Sequence, residues 1–115
     1  MAKIEMEWFD PNIKGVWKHP EGYPESVKQM IIAKDPETGV QVSMSIWGPG
    51  TQDTRVLSHD NCEVCFMVEG EQVCNGQVIS PGMVTIRPPF MPHGPFSSPN
   101  GCKVFEVFFP APGKE

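Results

Sequence analysis

The sequence predicts a single all-β domain, a barrel or jelly roll of short strands preceded by an irregular arm. Three observations predict it. Thirteen prolines and eleven glycines among 115 residues leave little room for long helices. From Val27 onward, apolar residues recur with the two-residue period of half-buried strands. Clusters of Gly, Pro and Asn cut these runs into short segments, the pattern of a sandwich or closed barrel.

Residues 1–26 show no clean period and hold Trp8, Trp17, Tyr23 and three prolines. They read as an arm pinned by its aromatics, with the barrel spanning 27–115. VKQMIIA (27–33) is the first strand candidate, and Asp35-Pro-Glu-Thr-Gly39 closes it as a turn. VQVSMSIW (40–47) alternates, with Val40, Val42, Met44 and Ile46 on one face. Gly48-Pro-Gly50 breaks that run. The strand candidates DTRVLS, EVCFMV, EQVC, MVTIR and CKVFEVFF follow. Asn75-Gly76 is a strong two-residue hairpin signal, and Ser80-Pro-Gly82 marks another turn.

The formal charge is −5, and the nine Lys and Arg residues form no basic stripe, so nucleic acid and anionic membrane surfaces are not expected partners. No apolar run approaches the ~18 residues of a membrane span. The acidic start, MAKIEMEWFD, is unlike a signal peptide, and a soluble, cytoplasmic protein is expected. The four cysteines (62, 65, 74 and 102) then read as reduced thiols. Cys62 and Cys65 have C-x-x-C spacing, but residues three apart on a strand face opposite sides and do not easily converge on one ion.

Histidine is scarce: His19, His59 and His93. Glu63 follows His59 by four residues, and His93 closes a strand and a loop stiffened by Pro88, Pro89 and Pro92. The plain structural alternative is that His59 and Glu63 only hydrogen-bond each other under an apolar lid. The runs SHDNCEVCFMVEGEQ (58–72) and SPGMVTIRPPFMPHG (80–94) resemble the paired motifs of the cupin superfamily. His59, Glu63 and Gly70 fit the second His, the Glu and the Gly of the first motif. Pro81-Gly82, Pro88 and His93 fit the second. A narrower likeness is to the branch similar to the anti-sigma ChrR sensor domain and dihydroxyacetophenone dioxygenase. This sequence departs from the pattern at Leu57, where the first His would stand, at Phe90 in place of Gly, and at Ser97 in place of Asn.

The resemblance implies a cupin-type double-stranded β-helix and a metal site of His59, Glu63 and His93. Two imidazoles and one carboxylate resemble the facial triad of non-haem iron enzymes, so a divalent ion is expected, Fe(II) first, with Zn, Mn or Ni as alternatives. Asp60 could add a fourth ligand. Alternation from Glu63 points Cys65 and Met67 inward, beside Phe90 and either Phe105 or Phe108. Arg87 reads either as an anchor for an anionic group or as a solvated strand end. Glu106 reads as solvent-facing. The expected function is a metal-dependent oxygenase or dioxygenase acting on a small apolar or aromatic molecule, in a homodimer. Two alternatives are a ligand-binding sensor without turnover and an isomerase or lyase using the metal as a Lewis acid.

Overall fold

The computed structural model describes residues 10–110. The first nine residues of the expected arm, Trp8 included, and residues 111–115 lie outside the described residues. A single helical turn, α1 (Pro11–Lys14), starts at the Asp10 cap, whose carboxylate accepts from the Asn12 amide. The described strands are β1 (Val27–Lys34), β2 (Gln41–Trp47), β3 (Thr51–Asp53), β4 (Cys62–Gly70), β5 (Gln72–Cys74), β6 (Gln77–Ile79), β7 (Val84–Arg87), β8 (Phe96–Ser98) and β9 (Cys102–Phe109). They form two antiparallel sheets, ordered β1-β2-β9-β4-β7 and β3-β8-β5-β6, the expected jelly roll. No helix among the described residues is long and apolar enough to cross a membrane.

Turn chemistry places most strand ends. Asn75 and Gly76 both take positive φ (50° and 77°), as a two-residue hairpin between β5 and β6 requires. Two expectations need correction. The segment 53–58 is not one strand: β3 stops at Asp53, whose carboxylate takes the Arg55 amide at 3.2 Å and its guanidinium at 2.6 and 2.8 Å. That local side-chain capture turns the chain. Leu57 then makes an isolated bridge to His93, with both backbone bonds at 2.8 Å. The second correction is β8, which lies among Pro, Gly and Asn breakers and is too short to show a period.

The parity of β2 is the feature that shapes the site. Val42, Met44 and Ile46 do share a face, but the buried face is the other one: Ser43, Ser45 and Trp47. The apolar row instead continues across the outer side of the larger sheet. Register aligns Met44, Phe105, Phe66 and Val84 in one row, and Val42, Val107, Val64 and Ile86 in the next. Inside, Val27, Trp47, Met67, Ile79, Phe96 and Val104 form the apolar core, and Trp47 meets Phe96 edge-on at 5.9 Å.

Candidate metal centre and its cavity

Three side chains from two loops and one strand meet at one end of the barrel interior. Glu63 comes from the start of β4, and His59 from the loop before it. His93 is held beside them by the Leu57 bridge. A second backbone bond, from the Phe90 amide to the His59 carbonyl at 2.7 Å, ties the two motif loops together. Glu63 Oε1 lies 3.6 Å from His59 Nε2 and 3.8 Å from His93 Nε2, and the two imidazoles pack edge-to-face at 4.9 Å.

The tautomers follow from the partners. His59 Nδ1 lies 3.3 Å from the Asn61 carbonyl, and His93 Nδ1 lies 3.0 Å from the Met91 carbonyl. A carbonyl only accepts, so each Nδ1 carries the proton and each Nε2 keeps its lone pair. Both lone pairs are thus free to bind an ion beside Glu63. The His59 Nε2 is buried and has no hydrogen-bond partner, a costly state for a polar atom unless something else satisfies it. Burial pulls the His93 pKa below its ordinary value, which keeps that ring neutral and available. His59, Glu63 and His93 therefore fit a divalent metal ion, and their ligand atoms all lie within 4.8 Å of one another.

These three open onto a cavity of about 110 Å³. Leu57 lines it, so the position that departs from the motif presents an isobutyl group where an imidazole would stand. Phe108 also lines it and meets the His59 ring at 6.0 Å, whereas Phe105 is on the outer face. Tyr23 and Pro20 border it from the arm, and the Arg55 guanidinium stacks on the Tyr23 ring at 4.8 Å.

The remaining sequence candidates separate. Cys65 and Arg87 line the cavity. Met67 does not; it is a core residue, 2% exposed. Phe90 is 69% exposed, with φ at 64°. Its backbone adopts the left-handed turn that the motif's glycine would supply, and that turn carries the ring outward. Among the described residues, Asp60 belongs neither to the His59, Glu63 and His93 cluster nor to a second metal-competent group, Glu63, Cys65 and Glu106. His19 instead pins its own turn, with Nε2 at 2.9 Å from the Tyr23 carbonyl. Burial and the neighbouring Glu63 push the Cys65 thiol well up, so it is no thiolate near neutral pH.

Two residues correct the sequence reading. Arg87 is no solvated strand end: it is 7% exposed and donates to Glu63 Oε1 at 3.1 Å, from the strand position directly opposite. Glu106 does not face solvent. It lines the cavity and accepts from Ser43 at 3.1 Å and Ser45 at 2.9 Å. Burial, reinforced by Glu63, pushes its pKa up to about 7, against the pull of bonds from Ser45, Ser43 and Gln29. The signal available in the sequence was the Ser-x-Ser of β2, polar on the face that turns out to be buried.

The two-sheet antiparallel barrel is the cupin fold. Solved structures of the same shape bear this out. An RmlC-like cupin from Shewanella frigidimarina NCIMB 400 superposes with a TM-score of 0.74 at 22% identity, over 94% of this chain and 95% of that one. An acetylacetone dioxygenase from Acinetobacter johnsonii gives 0.73 at 16% identity, over 95% of this chain and 75% of that one. A DMSP lyase gives 0.65 at 17% identity, over 86% of this chain and 59% of that one. No family model matches the sequence, and no curated protein matches it.

Proposed function

We propose that the chain is a metal-dependent enzyme, an oxygenase or dioxygenase of a small, largely apolar or aromatic molecule, with the ion held by His59, Glu63 and His93. One observation carries the reading: two imidazole lone pairs face one buried carboxylate oxygen, and one of those nitrogens has no partner. Two imidazoles and a carboxylate point to Fe(II) first; Zn, Mn and Ni remain choices for metal analysis. A divalent ion held there by His59, Glu63 and His93 would supply Lewis-acid and, as Fe(II), redox chemistry. The chain's own residues do the rest. The Asn61 and Met91 carbonyls fix the ring orientations. Leu57, Phe96 and Phe108 make an apolar wall that excludes water. Glu106 holds or releases a proton near neutral pH.

The acetylacetone dioxygenase of the same fold supports an oxidative reading. The DMSP lyase supports the second one, in which an ion held by His59, Glu63 and His93 would supply Lewis-acid chemistry and Glu106 would move a proton. The experiment is anaerobic loading with Fe(II) or Zn(II), then an oxygen electrode with acetylacetone and small phenols as trial substrates. Substrate-dependent O₂ uptake that requires Fe(II) and is lost in His93→Ala is the expected result. Turnover with Zn(II) and no O₂ uptake would select the Lewis-acid reading, and binding without turnover would select a sensor. We also propose a homodimer built on the outer apolar rows, where Phe66, Val84 and Ile86 are 42%, 54% and 65% exposed.

A further inference from the structure

Arg87 is a buried charge to which the proposed chemistry gives no task. Its guanidinium is poorly occupied for a group with five donors. Nη1 reaches Glu63 Oε1 at 3.1 Å, Thr85 Oγ1 at 3.2 Å and Cys65 Sγ at 3.7 Å. Among the described residues, Nη2 reaches only the Cys74 sulfur, at 3.8 Å. Thiols are weak acceptors, and both sulfurs lie at the long end of hydrogen-bond range. Among the described residues, the one strong ionic partner of Arg87 is therefore the same carboxylate oxygen on which both imidazoles converge.

That sharing has an electrostatic consequence. Without an ion, Arg87 and Glu63 neutralise each other. A divalent ion at Glu63 leaves the cavity with two excess positive charges, cut to one when Glu106 is ionised. Excess charge behind apolar walls is costly unless a counter-charge enters. Arg87 lines the same cavity and presents a planar fork suited to carboxylates.

We propose that Arg87 and the bound ion together form a receptor for the anionic head of the substrate, a small carboxylate with an apolar body. This rests on the metal reading above. The head would accept from the guanidinium, which would give up part of its bond to Glu63 when that carboxylate holds an ion. The body lies against Leu57, Phe96 and Phe108. A cavity of about 110 Å³ limits such a ligand to a small molecule.

The test is calorimetry on zinc-loaded protein, Zn(II) being free of redox side reactions. Glycolate and glycolamide are the probes, since both offer a hydroxyl and a carbonyl oxygen but only glycolate is charged. Wild type should bind glycolate at least about tenfold more tightly than glycolamide, and Arg87→Met should lose about tenfold of that preference, the size of one charge-assisted hydrogen bond. If Arg87→Met does not fold, Arg87→Lys serves: it keeps the charge, loses the fork, and should cut the preference at least threefold. An unchanged preference in the variant, or no preference in wild type that still binds zinc, overturns the receptor alone. Failure of wild type to bind zinc stoichiometrically overturns the metal reading and the receptor with it.

Discussion

Glu106 sits in a strand otherwise composed of Val, Phe, Cys and Lys, and its inward placement is decided by partners far away in sequence. Ser43 and Ser45 reach it from β2, and Cys65 lies opposite on β4. Its ordinary carboxyl pKa is 4.5, and in the fold it is about 7. Between those values the folded chain binds a proton that the unfolded chain does not. The carboxyl therefore costs no stability below pH 4.5 and its full penalty above pH 7. Glu106→Gln should raise stability by about 3 kcal/mol at pH 8, and the gain should vanish near pH 4.5; urea titration at both values checks this. A pH-independent difference would show that the carboxyl is not held in a desolvating site. His59, Glu63 and His93 were legible because short-range spacing carries their motif. The Arg87–Glu63 pair was not, because cross-strand register is invisible in a local window.

At the scale of elements, β2 shows why a correct period can give the wrong face. Alternation identifies the two faces but not which is buried, and apolar character favoured Val42, Met44 and Ile46. Ser43 and Ser45 inside and the apolar row outside reverse the usual assignment. Turns are legible in the sequence because their chemistry is local. Gly70 takes φ of 75°, and an added Cβ would collide with the Gly101 carbonyl. Gly70→Ala should lose about 2–4 kcal/mol, measured by denaturant midpoint. Phe90 makes the opposite case: its ring is exposed and its φ is one that glycine adopts without strain. Phe90→Gly should be neutral or stabilising by up to about 1 kcal/mol, with metal content unchanged. A large loss of bound metal in that variant would return Phe90 to the site.

For the whole molecule, the polar side chains that face the cavity and the apolar exterior face are two results of one register. The outer rows ending at Val84 and Ile86 carry the proposed dimer, and light scattering should give twice the chain mass for wild type and the single mass for Ile86→Glu. Monomer mass for wild type at high concentration would contradict it. The inner register brings Glu63 between His59, His93 and Arg87, and that meeting is the central claim. The most direct test is metal analysis combined with zinc calorimetry on untagged protein. The account predicts about one ion per chain, at least ~100-fold weaker binding in each of His59→Ala, Glu63→Ala and His93→Ala, and full binding in His19→Ala. Wild type without stoichiometric metal, and variants that lose only folding stability, would contradict it.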